Sequence, residues 1–292
     1  MRYLKAGRGP ALILVHGLLG YSFSWRFTMP ALAPYATVYA IDNLGAGLSV
    51  APRNLNCTVR AAAERVLQFA DGLGLHEFDL LGTSHGGAVA MMAAALCADR
   101  DPQKAGRASQ QSSSEQNASQ QEADRPPSRL RRLILVAPVN PWSPSGRTLA
   151  PFVASPLGST LFRHTIERWR SLDGLWLRRL FGDRSKIPPD SLAGYRLPIL
   201  QNDGFRYGSS IVKTWLSDLA DLESVLPKIR NYPTLLVWGT NDRAVSYASA
   251  EPLRKNFTNA SLVALEGVGH LPYEECPNEF NRALINFLTA PK

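Results

Sequence analysis

Between Phe78 and Ala98 the chain reads FDLLGTSHGGAVAMMAAALCA, and no other stretch limits its possible folds as much. Phe78 to Leu81 is a short apolar run of strand length. From Gly87 onward Ala and Met dominate, both good helix formers. Gly82-Thr83-Ser84-His85-Gly86 stands between them. A strand that passes into a helix across so few residues must turn sharply. Side chains flanking that turn would collide with neighbouring elements, and glycines remove them. Ser84 is then held at the tip, over the start of the helix, where N–H groups and the helix dipole favour developing negative charge. A Gly-x-Ser-x-Gly pentapeptide arises often by chance; the strand–turn–helix setting is what makes this one informative.

The rest of the chain repeats the rhythm. Ala11–Val15 (ALILV) is a compact apolar run ending in His16-Gly17-Leu18-Leu19-Gly20. Thr37–Ile41 reads as the next strand, and residues 58–74 as an amphipathic helix capped by Thr58. Leu133–Val136, Thr234–Trp238 and Ser261–Leu265 supply further strands, and Pro277–Leu288 a closing helix. Strands alternating with helices predict an α/β fold with a mostly parallel, doubly wound sheet.

Two segments break that rhythm. Residues 99–128 contain SQQSSSEQNASQQE, too polar to bury enough surface to order itself, and read as a flexible surface insertion. It follows a helix that starts at the carboxyl edge of the sheet, so it is expected at the opposite edge, away from Ser84. Residues 139–230 are rich in proline, in Lys and Arg, and in large aromatics, with helical patterns near 159–181 and 209–226 and no strand pattern. They read as a helical excursion inserted into a core formed by 1–138 and 231–292. Of the net charge of +8, residues 143–230 carry +5. A solvated basic face explains this, and no nucleic-acid motif accompanies it.

With 45% hydrophobic and 19% charged residues, composition excludes a disordered or fibrous chain. No apolar run has the length of a membrane span, and MRYLKAGRGP lacks the apolar stretch of a signal peptide. Cys57, Cys97 and Cys276 are few and scattered, which points to neither a disulfide framework nor a metal site. A cytoplasmic setting, with no metal and no cofactor, is the expectation.

A serine hydroxyl needs a base, and the base needs an orienting group. Of the five histidines, His270 alone lies in a glycine-flanked loop directly after a sheet strand. His85 adjoins the serine, but neighbouring residues in such a turn point apart. Among the carboxylates between Ser84 and His270, Asp242 alone sits in a tight polar turn just past an apolar strand. Asp218 and Asp221, on a helix of the excursion, read as a solvated face.

Taken together, HGLLG at 16–20, DNLGAGLS at 42–49, GTSHGG at 82–87, GTNDRAV at 239–245 and GVGHLPYEE at 267–275 resemble the α/β-hydrolase superfamily, in its cap-bearing branch. The resemblance covers nearly the whole chain, apart from 99–128, and the cap matches in position only. It implies the order nucleophile Ser84, acid Asp242, base His270. It also implies an oxyanion hole formed by the backbone N–H groups of Leu18 and His85, with His16 and Asp42 as structural residues. Dehalogenases and epoxide hydrolases of this superfamily carry aspartate at the nucleophile, and Ser84 departs from both. HGLLG likewise departs from the HGGPG- and HGxGPG-like turns of proline iminopeptidases and ring-fission hydrolases.

The resulting expectation is a serine hydrolase of the carboxylesterase kind, cleaving esters of small to medium apolar or aromatic substrates through an acyl-enzyme. C–C hydrolase, lactonase or perhydrolase chemistry on the same residues, and a ligand-binding receptor on a hydrolase fold, are the alternatives. The expected pocket walls are Phe23 and Trp25 after the oxyanion turn, and Phe152, Trp169 and Trp176 from the cap. A small-molecule ester is the expected partner; the oligomeric state is open.

Overall fold

The computed structural model describes residues 1–100, 130–144, 146–147, 149–155, 157–161, 174–201 and 204–290. The low-complexity insertion therefore lies almost wholly outside the described residues, as does Trp169.

Seven strands form one sheet: β1 (Tyr3–Ala6), β2 (Ala11–Val15), β3 (Thr37–Ile41), β4 (Phe78–Thr83), β5 (Leu130–Val136), β6 (Thr234–Gly239) and β7 (Ala260–Leu265). Their order across the sheet is β1-β3-β2-β4-β5-β6-β7. β1 runs antiparallel to β3, and every other pairing is parallel. The central strands are mostly apolar because both faces are covered, and the buried Asp79 of β4 is paired with Arg131 of β5 at 2.6 Å. Along β2, Ile13 and Val15 join one core cluster and Leu12 and Leu14 the other, as the two-residue period of a strand requires.

One face is covered by α2 (Val59–Gly72) and α3 (His85–Asp99), the other by α1 (Met29–Leu32) and α10 (Pro277–Thr289). Thr58 caps α2, its hydroxyl accepting from the Ala61 N–H at 3.2 Å. The helix α3 is buried on nearly every side, which suits its uniformly apolar sequence. It ends, and β5 begins, at the sheet edge opposite Ser84. The chain between Arg100 and Leu130 thus leaves and re-enters there.

Among the described residues between β5 and β6 lie four α-helices: α4 (Leu149–Ala154), α5 (Leu175–Leu180), α6 (Ser191–Gln201) and α7 (Gly204–Ile229). The longest, α7, has two roles. Its first half packs Tyr207, Ile211 and Val212 against small clusters that include Leu18. Its second half contributes Leu219, Leu222, Val225, Leu226 and Ile229 to the main core beside α3. Asp218 marks the changeover. Sequence spacing predicts a solvated face for it, yet it is buried, accepting from the Val59 N–H at 3.0 Å and the Thr214 hydroxyl at 2.7 Å. It fills one of the free donors at the start of α2, a long-range contact that spacing within α7 cannot reveal. Asp221 is exposed, as expected.

Two short helices complete the chain: α8 (Ala250–Arg254) follows the turn after β6, and α9 (Pro272–Glu275) follows the loop after β7.

Candidate active site

The strand order reverses at β2 and β4, the place where an open α/β sheet leaves a crevice at its carboxyl edge. Register does the rest. Val15 pairs with Gly82, so the turn His16-Gly17-Leu18 emerges level with Thr83-Ser84. Gly239 pairs with Leu265, which brings the turns after β6 and β7 side by side.

Ser84 has φ +52° and ψ −122°, a conformation that L-residues rarely adopt. It is held there from both sides: its N–H donates to Val136 at 2.9 Å and its carbonyl accepts from Val139 at 3.0 Å. The surrounding glycines are sterically required. A Cβ on Gly82 would strike the Gly86 carbonyl, one on Gly86 would strike the His16 carbonyl, and one on Gly87 would lie 2.5 Å from Pro138. The strain at the serine is therefore over-determined by packing.

His270 and Asp242 form a buried pair, Nδ1 to Oδ2 at 2.7 Å. The other carboxylate oxygen accepts from the N–H groups of Ala244 (2.8 Å) and Val245 (2.9 Å). The carboxylate is thus aimed by its own turn, and it orients the imidazole in turn. Ser84 and His270 line the same cavity, of about 310 Å3.

Gly17, Leu18 and Leu19 line it too, beside Ser84. Leu19 takes φ +59°, turning the backbone after Leu18. His85 opens α3, where backbone N–H groups lack a partner within the helix. His16 is buried and occupied at both nitrogens: Nδ1 meets the Gly17 carbonyl at 2.8 Å, and Nε2 accepts from the Asn43 N–H at 3.1 Å. Burial lowers its pKa below 6.5. Asp42 accepts from Ser22 N–H at 2.7 Å and Leu48 N–H at 2.9 Å, organising its own turn. His85 is not among the residues lining the cavity; its ring stacks on Trp215, centroids 6.4 Å apart, and burial lowers its pKa to about 4.

Of the expected pocket walls, Trp176 lines the cavity and three others do not. Trp25 is fully buried in the core against Tyr273, at 4.9 Å between centroids. Phe23 stacks on Tyr21 and carries the Arg26 guanidinium on its face, packed beside Gly194 of α6. Phe152 points outward, 44% exposed. Proximity in sequence to the His16–Gly20 turn does not bring Phe23 and Trp25 to the cavity, because they lie on the 3-10 turn Ser22–Trp25, whose Trp25 is buried in the core. The walls that sequence reasoning missed are Val212 and Trp215 of α7, Leu177 and Leu180 of α5, Tyr195 of α6, and Tyr273. A usable signal was present in part: Gly208, Val212 and Trp215 recur at helical spacing on one face of α7.

The arrangement belongs to a known family, whose model, the alpha/beta hydrolase family, matches residues 12–283. The chain is an alpha/beta hydrolase. It is 26% identical to the uncharacterized hydrolase YugF of Bacillus subtilis (strain 168) over 288 residues, covering 98% of this chain and 92% of that protein. Haloalkane dehalogenase 2 of Mycobacterium tuberculosis (strain ATCC 25618 / H37Rv) is 27% identical over 294 residues, covering 98% and 90%. Among solved structures, the enol-lactonase from Burkholderia xenovorans LB400 superimposes with a TM-score of 0.73 at 23% identity, covering 99% of this chain and 96% of that one. This hydrolase thus shares the fold with enzymes of differing chemistry, and its substrate must be argued from its own site.

Proposed function

We propose that this hydrolase cleaves carboxylic esters of small to medium apolar or aromatic substrates, with Ser84 as nucleophile, His270 as base and Asp242 as its orienting acid. The observation that carries the reading is the strained Ser84 sharing one cavity with a His270 that is already paired to a buried Asp242. Because Nδ1 is engaged by Asp242, Nε2 is the nitrogen left to take the serine proton. Attack of Oγ on the ester carbonyl gives a tetrahedral oxyanion, stabilised by the N–H groups of Leu18 and His85. Each such donor contributes about 2.7–4 kcal/mol. Collapse expels the alcohol, protonated by His270, and leaves an acyl-Ser84. Water, deprotonated by His270, then attacks the acyl carbon and releases the acid and free Ser84.

The cavity limits the substrate. Its volume lies at the low end of the range for small-molecule sites. Leu18, Val139, Trp176, Leu177, Val212 and Trp215 make its walls apolar. The hydroxyl of Tyr195 is engaged by Ser24 at 3.1 Å and by Glu274. These features favour a medium-length acyl chain or an aromatic group over a charged one.

A fluorophosphonate probe tests the reading. Stoichiometric labelling at Ser84, located by peptide mass, together with hydrolysis of p-nitrophenyl esters that peaks at intermediate acyl length, is the expected result. No labelling and no turnover across the series would leave a binding protein on a hydrolase fold.

A further inference from the structure

We propose that Glu275 is a positioning residue for the His270–Asp242 pair, and that it acts by fastening the base loop to the helical segment above the pocket. This rests on the catalytic reading given above. The carboxylate of Glu275 is buried and serves three backbone donors from two distant stretches. Oε1 accepts from Asp183 N–H at 2.7 Å, and Oε2 from Gly182 N–H at 2.9 Å, both in the link that follows α5. Oε2 also accepts from Gly269 N–H at 2.8 Å, one residue before His270. The N–H of His270 itself donates to the Leu180 carbonyl at 2.6 Å. Both backbone N–H groups at the base are therefore held by the helical segment or by the carboxylate that binds it.

The joint is built for close approach. A Cβ on Gly269 would strike Gly182 N and the Leu180 carbonyl; one on Gly182 would strike the Gly267 carbonyl; one on Gly239 would strike the Gly269 and Val268 carbonyls. Three backbones thus meet without side chains between them: the end of β6, the base loop and the link after α5. Asn241 N–H donates to the Val268 carbonyl at 2.9 Å, which ties the Asp242 turn into the same joint. Alignment of the imidazole with Asp242 then depends on the seating of residues 180–183. The neighbouring Glu274 does a separable job. It pairs with Arg26 at 2.9 Å and accepts from Ser191 at 2.7 Å and from Tyr195, so it sets the pocket wall rather than the base.

A carboxylate offers acceptors alone, whereas an amide must turn an N–H toward at least one of the three donors. Glu275→Gln in the full chain should therefore lower kcat on the order of 100-fold with KM nearly unchanged, the size of effect expected from small misplacement of a reacting group. The downfield proton resonance of the His270 Nδ1–H shared with Asp242 should broaden or move upfield in the resting protein. Glu274→Gln should keep that resonance and raise KM instead. If Glu275→Gln retains parental kcat and resonance, the proposal is overturned. Loss of melting temperature and activity with an unmoved resonance overturns it equally, since that pattern marks a merely structural carboxylate. Should Glu275→Gln not fold, Glu275→Asp, which keeps the charge but shortens the reach, is judged by the same resonance and the same kcat. The resonance needs no substrate. A parent protein inert toward esters would refute the proposed function while the resonance still decides the role of Glu275.

Discussion

The sheet core and the helical segment above it are held by different physics. Strands β2 and β4 to β6 are predominantly apolar, and covered on both faces toward their carboxyl ends, so the edge that carries Ser84, Asp242 and His270 is stiff. Helices α4 to α7 have no sheet of their own. The second half of α7, Leu177 and Tyr195 reach the large core clusters; the remainder is seated by small apolar clusters and by buried polar contacts: Asp218 on the start of α2, Glu274 on Arg26 and Ser191, Glu275 on the base loop. The candidate catalytic groups sit on the rigid side, and several apolar walls of the cavity sit on the side that relies more on small clusters and specific polar contacts. Substitutions in the two regions should therefore fail in different ways.

The largest effect is expected on the rigid side. Ser84→Ala should lower kcat by roughly 10⁶-fold, as for nucleophiles that act as a unit with their base. The melting temperature should stay near that of the parent, or rise, because the change relieves no packing contact of the core. Residual esterase activity within tenfold of the parent would refute the nucleophile assignment. Next comes Asp242→Asn, expected to cost roughly 10⁴ in kcat with little change in KM, since the amide favours the wrong imidazole tautomer. Steady-state kinetics across pH would check it; normal turnover in this variant would place the acid elsewhere.

On the recognition side the effects should be smaller and substrate-dependent. Trp215→Ala and Trp176→Ala enlarge the cavity and should shift the preferred acyl length, changing relative kcat/KM between short and long esters by about 10-fold. A uniform loss across the series would mean that these rings support the catalytic geometry rather than the fit.

The smallest effect is a difference in how the regions respond to pH. His85 and His16 lie buried at the core edge with pKa values below the ordinary 6.5, His85 at about 4. The unfolded chain takes up protons there that the folded chain refuses. Their contribution is complete above about 6.5 and is lost as pH falls through the lowered values, about 4 for His85. Asp218, at the helical segment, behaves oppositely: burial raises its pKa above 3.8, so the folded chain keeps a proton the unfolded one has released. Its contribution is complete below 3.8 and lost as pH rises through the raised value. His85→Gln should flatten the fall of melting temperature on acidification. Asp218→Asn, which can keep the bond to Val59 N–H, should flatten the opposing slope. Unchanged slopes in both variants would remove this distinction between the regions.

Sequence alone determined the fold and which groups gather at the carboxyl edge of the sheet. Strand runs, turn glycines and their order were legible because burial on both faces demands uninterrupted apolar strands, and a sharp strand-to-helix turn demands glycine. Ser84, Asp242 and His270 could be picked out because each sits a fixed few residues past a strand, and a parallel sheet sends all such turns to one edge. Only tertiary structure decided what surrounds them. Trp25, close in sequence to the His16–Gly20 turn, went to the core, and Trp215, far along the chain, came to the pocket. Asp218 was drawn inward by free donors on a helix 159 residues away. Glu275 acquired its role from two stretches that meet only in three dimensions. Local periodicity records which face of an element is apolar, not which element will face it, and pocket walls and long-range carboxylate contacts depend on that second fact.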